Sequence, residues 1–343
     1  MKDASHILVI RFSSMGDVAM TVPVIKNLLQ QHPGMRITFL SNSFFEPLFD
    51  GIERCRFYPA FLKGKHKGFA GMFSLFKELG LAAKFDGIAD LHNVLRSQLL
   101  GVFYTMSGHR VAVIEKGRQQ KKALTRTKDK VLQQLPSTFG RYADVFTKLG
   151  FSITLQPGEP LFEKKLIPAG VEPVFLTGKK VIGVAPFAQY KEKMYPVEKM
   201  KLIVKELALK NHIVLLFGGG PQEAAILKEW ENEIFSVFNV AAKYSFAEEL
   251  AIISNLTAMV SMDSANMHLA SLFNVPVVSI WGATHPFAGF YGWGQAWEHI
   301  VQVDLYCRPC SVFGNKPCYR GDHACMARIT EQTIVEKIEQ VIA

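Results

Sequence analysis

The chain has 343 residues, too many for one ordinary core, so two domains are the first expectation. Apolar residues make up 49% of it, which excludes long disordered tracts, and no apolar run reaches the ~18–20 residues of a spanning helix. The formal charge of +9 is uneven: residues 1–165 hold 24 Lys+Arg against 13 Asp+Glu and the remainder 15 against 17, so the first half is expected to meet a polyanion unless those cations are only solvated surface.

In chain order, Met1–His6 leads directly into the apolar run ILVIRF without the pattern of a secretory leader, so a cytoplasmic location is expected. His6–Phe12 reads as a strand, Ser13–Asp17 as a loop and Val18–Gln31 as a helix, followed by a strand at Arg36–Ser41. That opens a βαβ unit and predicts a parallel sheet. Further strands are expected at Gly87–Leu91 and Arg110–Ile114, with helices at Phe73–Ala83 and Gln134–Leu149. Gln156–Lys180 is loose and rich in proline and glycine, as a domain linker or its approach would be. The alternation then restarts: strand Val181–Ala185, helix Val197–Leu209, strand Ile213–Phe217, strand Ala258–Met262, helix Met267–Phe273 and strand Val275–Trp281. The chain ends in an amphipathic helix, Ile329–Ile342, expected to pack back on the first domain. The fold class is therefore α/β, two Rossmann-like domains facing across a cleft: residues 1–165, residues 166–328, and a C-terminal helix over 329–343.

Two loops join a buried strand to a helix in the way that makes a polar site. In Ser13-Ser14-Met15-Gly16-Asp17, Gly16 permits close backbone approach and Asp17 stands where ligands bind in such folds, although it could simply cap the helix. In Ser261-Met262-Asp263-Ser264-Ala265-Asn266-Met267-His268, helix-terminal amides, a hydroxyl and an imidazole one turn later make a diphosphate site, against the plainer reading of a capped helix. Glu223, after Gly218-Gly219-Gly220, is suited to ribose hydroxyls, and Lys193, before Tyr195-Pro196, to phosphate.

The opening ILVIRFSSMGDVAMTVPVIKNL, the IADLHNVLRS segment, the K-x-Y-P element, the FGGGPQE loop and the SMDSANMHLASLFNVPVVSIWGATHP run resemble the heptosyltransferases of glycosyltransferase family 9 in order and spacing over nearly the whole chain. The resemblance implies a GT-B fold with an acceptor-binding first domain and a second domain that binds ADP-heptose. It implies inverting transfer with no cofactor required for catalysis. Position by position, it makes Asp17 the catalytic base, Lys193 the phosphate ligand and Glu223 the ribose ligand. Asp263, Ser264 and His268 match the D-[ST]-G-x-x-H signature, whose glycine is Ala265 here; a methyl group there would crowd the diphosphate or disfavour a positive φ.

On that resemblance the acceptor is a phosphorylated lipid A–Kdo core at the inner leaflet of the inner membrane, and the protein is peripheral to it. Ser13, Ser14, Gly16, Lys63, Lys65, Lys67, Arg96, Lys121, Lys122 and Arg126 are the acceptor-binding candidates, with Asp90 and His92 beside them. Nucleic acid is disfavoured, because the basic clusters lack interleaved aromatics. Cys307, Cys310, Cys318 and Cys325 follow C-x2-C-x7-C-x6-C and could hold a structural zinc, with buried reduced thiols as the alternative. Two other functions fit less closely: a GT-B transferase using another nucleotide sugar for a different surface glycan, and a non-catalytic nucleotide-binding relative.

Overall fold

The computed structural model describes residues 5–158 and 160–343; residues 1–4 of the expected lead into the first strand, and Glu159 of the expected linker, lie outside them. The elements run β1 Ser5–Ile10, α1 Met15–Ala19, α2 Thr21–Gln31, β2 Met35–Ser41, β3 Cys55–Pro59, α3 Gly68–Ala82, β4 Gly87–Asp90, α4 Leu95–Met106, β5 Val111–Val113, α5 Arg118–Leu124 and α6 Thr138–Leu149. They continue with α7 Glu172–Phe175, β6 Val181–Ala185, α8 Val197–Leu209, β7 Ile213–Leu216, α9 Pro221–Glu233, β8 Val237–Asn239, α10 Phe246–Ser254, β9 Ala258–Met262, α11 Ala265–Leu272, β10 Val277–Ile280, β11 Ile300–Val301, α12 Ala324–Ala327 and α13 Glu331–Ile342.

Contacts divide the chain into two units. Residues 1–116 and 138–156 form the first; residues 117–137 and 157–343 form the second. The stretch 117–137, placed in the first domain by linear reading, therefore belongs to the second unit with α5. The Pro-rich stretch from Pro157 onward does too.

The first unit carries a five-stranded parallel sheet in the order β3-β2-β1-β4-β5. Its central strand reads as an uninterrupted apolar run because both faces are covered. Leu8 and Ile10 enter one core with Met72, Leu75 and Leu79 of α3 and Leu100 and Tyr104 of α4, while Ile7 and Val9 point the other way. The second unit carries a six-stranded parallel sheet, β11-β10-β9-β6-β7-β8. In each sheet the chain starts at a central strand, builds outward and then crosses back. The switch points lie between β1 and β4 in the first sheet and between β6 and β9 in the second, and ligands bind at the carboxyl ends of strands at such points.

The last helix overturns an expectation. Helix α13 does not join the first domain's core. Its stripe Ile334, Val335, Ile338 and Ile342 is buried in one cluster with Met200, Ile203, Val204 and Leu207 of α8, over strands β6, β7, β9 and β10. Thr330 caps it, accepting from the Thr333 N–H at 3.2 Å. The second sheet's own apolar face supplies the area that this stripe needs to bury. Among the described residues, no helix is long and apolar enough to cross a membrane.

Candidate functional site

In the first unit, β1 ends at Ile10 and the chain turns through Ser13 and Ser14 into the short helix α1, which places Asp17 at its third position. The Asp17 carboxylate receives the Arg11 guanidinium at 2.6 Å and the Ser14 hydroxyl at 2.7 Å. It also accepts a longer bond from the Ser14 N–H at 3.4 Å, so the capping role is present alongside the ion pair. Arg11 is buried and donates to the Leu91 carbonyl at 2.8 Å, which ties the β1 loop to the chain leaving β4. The Tyr142 hydroxyl of α6 donates to the Asp17 carbonyl at 3.2 Å. Asp17 is thus fixed at the switch point of its sheet by Arg11 and Ser14 of its own loop and by Tyr142 of α6.

Beside it, the half-buried His92 is pushed down to about 3, first by burial and then by the cations Arg11 and Lys116, with Asp17 opposing. Its Nδ1 accepts the Phe12 N–H at 3.3 Å, so the neutral ring carries its proton on Nε2. Asp90, fully buried, accepts the His92 and Asn93 N–H groups at 2.8 Å each on Oδ1. Its Oδ2 has no hydrogen-bond partner among the described residues. Ser13, Ser14 and Arg96 are exposed and Gly16 is buried under the loop.

In the second unit the donor candidates stand on loops after three adjacent strands, β7, β6 and β9. The Lys193 ammonium lies 3.1 Å from the Asp263 carboxylate, both largely buried. Tyr195 holds the lysine's loop down: its ring is buried, and its hydroxyl donates to the Ile329 carbonyl at 2.9 Å. Glu223, in the first turn of α9, accepts the Gly219 N–H at 2.7 Å, which folds the glycine loop over the helix start. Ser264 is the N-cap of α11, with its hydroxyl 2.8 Å from that of Ser261, and His268 is buried one turn along. Ala265 is the first residue of α11 and is not among the residues of positive φ, so a helical backbone accepts its methyl group. The concern raised by the missing glycine does not materialise as strain.

Two residues escaped the linear reading. Arg11 lies inside the stretch His6–Phe12 that reads as a strand. Gly314, between the cysteines, has φ +75°, and a Cβ there would sit 2.1 Å from the Lys193 Cγ. Nothing in the spacing of residues 193 and 314 announces that contact.

The remaining basic candidates divide. Lys63, Lys65 and Lys67 are exposed in the first unit. Lys121, Lys122 and Arg126 lie in the second, and Lys121 is buried with its ammonium 4.3 Å from the Phe290 ring centre. Lys130 donates to the Cys307 and Pro309 carbonyls at 2.8 and 2.9 Å. Buried Arg308 donates to the Gly282, Val303 and Thr284 carbonyls, anchoring the same loop. The four cysteines there are free thiols, and no group of three or more His, Cys, Asp or Glu side chains among the described residues is arranged to hold a metal ion. Burial is the largest cause that pushes the Cys325 thiol up to about 11.

A family model described as glycosyltransferase family 9 (heptosyltransferase) matches residues 72–317. Lipooligosaccharide heptosyltransferase 2 of Campylobacter jejuni is 24% identical over 176 residues, 49% of this chain and 53% of its own, so the chain spans about half the length of that curated relative. The Haemophilus influenzae protein of the same name is 26% identical over 296 residues, 82% of this chain and 84% of its own. The solved structure of an Escherichia coli ADP-heptose LPS heptosyltransferase II matches with a TM-score of 0.69 at 19% identity, covering 98% of each chain.

Proposed function

Because this chain belongs to glycosyltransferase family 9, the heptosyltransferases, we propose that it moves a heptose from ADP-heptose to a hydroxyl of the lipopolysaccharide inner core, with inversion at the anomeric carbon. The observation that carries this reading is the Lys193–Asp263 pair beside the switch point of the second sheet, on the loops after β6 and β9. An ADP leaving group gains negative charge as the glycosidic bond breaks. Lys193, His268 and the backbone amides at the start of α11 are suited to stabilise that charge. Asp263 holds the ammonium in place, and Glu223 is suited to accept from ribose hydroxyls. Since Lys193 supplies the positive charge, the reading needs no metal ion.

Asp17 takes the acceptor hydroxyl proton as that oxygen attacks the anomeric carbon. The Arg11 guanidinium and the Ser14 hydroxyl fix the orientation of that carboxylate. Proton transfer is late, when the attacking oxygen has already become acidic in an oxocarbenium-like transition state. Lys63, Lys65, Lys67 and Arg96 in the first unit remain candidates for the acceptor's phosphates and carboxylates at the inner leaflet. The helical backbone at Ala265 supports a working donor loop over a non-catalytic relative, since it needs no positive φ there.

Calorimetric binding of ADP, UDP and GDP tests the donor, with Asp263→Ala as the control. Binding selective for ADP and at least about tenfold weaker in the control is expected, the loss of one charge-assisted contact. A preference for UDP or GDP would keep the fold and replace the donor.

A further inference from the structure

We propose that α3 and α4 of the first unit form a membrane-docking face that seats the protein on an anionic lipid bilayer, whichever sugar it transfers. Helix α3 carries aromatic side chains beside its core-facing stripe, while Ser74, Lys77 and Glu78 supply a narrow polar edge. Met72, Leu75 and Leu79 fill the core, while Phe69 and Phe73 on the other side are 67% and 40% exposed. The aromatic side continues onto α4. The Phe103 ring lies 5.6 Å from that of Phe69 and 5.4 Å from that of Phe73, and α4 adds Val102 and Met106, 52% and 82% exposed. Scattered exposed apolar residues need no explanation, but a contiguous aromatic patch shared by two packed helices marks an interaction surface.

Charge identifies the occupant. The loop before α3 brings exposed Lys63, Lys65 and Lys67 to its edge, and the Lys77 ammonium lies 4.6 Å over the Phe73 ring. That loop is pinned to the helix. Gly71 leaves no room for a side chain, since a Cβ would sit 2.4 Å from the His66 carbonyl carbon. Glu78 is the one acidic residue in residues 61–82 and 95–106. It is engaged by Lys65 at 2.9 Å and His66 at 3.3 Å. Exposed aromatic rings beside lysines, with the lone carboxylate already paired, fit an interface of acyl chains beneath anionic headgroups: rings enter the boundary and ammoniums meet phosphates. A second copy of the same face would bring like charges together.

The test is co-sedimentation of the full chain with vesicles of phosphatidylglycerol mixed into phosphatidylcholine, and with phosphatidylcholine alone. Binding to the mixed vesicles only, released by high salt, is expected. The double substitution Phe69→Ser, Phe73→Ser should weaken it about tenfold or more, since each ring contributes apolar burial. Thermal unfolding and ADP binding of that variant should be unchanged, because neither ring belongs to the core or the donor site. Absence of wild-type binding, or equal binding by the variant, would overturn the proposal. So would a concentration-dependent dimer in sedimentation velocity that the double variant loses.

Discussion

Lys193 reaches Asp263 past a residue with no side chain. Gly314 stands against the lysine's methylenes, with 2.1 Å to Cγ and 2.5 Å to Cδ from the position of a Cβ. Those atoms are the middle of the side chain, so a methyl group at 314 displaces the ammonium rather than a free end, and φ +75° adds backbone strain. Gly314→Ala is therefore expected to weaken ADP binding about tenfold, a loss of about 1.4 kcal/mol, while leaving far-UV circular dichroism unchanged. Unaltered affinity would mean that Lys193 does not need its present path. Arg11 acts in the same indirect way on Asp17, through a 2.6 Å pair rather than through substrate. Asp17, Glu223 and Asp263 were legible because each stands just after a recognisable buried strand. Arg11 and Gly314 were not, because their importance lies in contacts made by folding and not in any spacing.

Elements were most legible where burial was complete. Strands β6 and β9 and helix α8 lie where their apolar periods place them, since both faces or a full stripe are buried. Where local geometry competes, the pattern misled. The expected helix Val18–Gln31 is two helices, α1 and α2, parted at Met20 two residues before Val22-Pro23. The expected Gln134–Leu149 begins only at Thr138, because Pro136 disfavours helix in the residue before it. Strand β3 is half-buried at a sheet edge and β8 has three residues, too little pattern for either to stand out. The period of α13 was read correctly and its partner was not, because amphipathicity says that a stripe is buried and not against what. Ile338 is fully buried in the second unit's core. Ile338→Ala should destabilise that unit by about 2–4 kcal/mol in denaturant unfolding. A change below about 0.5 kcal/mol would show that the helix is not docked there.

At the scale of the whole molecule, two parallel α/β units each present their chemistry at a switch point, one a carboxylate and the other a lysine–aspartate pair. Charge follows this division less sharply than the linear chain suggested. Residues 117–137 carry six Lys+Arg against one Asp+Glu and belong to the second unit. The first unit then holds 16 against 10, a net of +6, and the second 23 against 20, a net of +3. The first unit remains the more basic, and Lys63, Lys65, Lys67 and Lys77 are exposed in α3 and the loop before it. Asp17 is expected to remove a proton during heptose transfer and to take no part in holding the nucleotide. The most direct measurement compares wild type with Asp17→Asn for transfer from ADP-heptose to a lipid A–Kdo acceptor, followed by mass spectrometry, with ADP affinity measured on the same preparations. Transfer by the wild type, falling about 100-fold to 10,000-fold in the variant at unchanged ADP affinity, is the predicted result. Transfer by Asp17→Asn at the wild-type rate, or none by the wild type with both substrates bound, would contradict it.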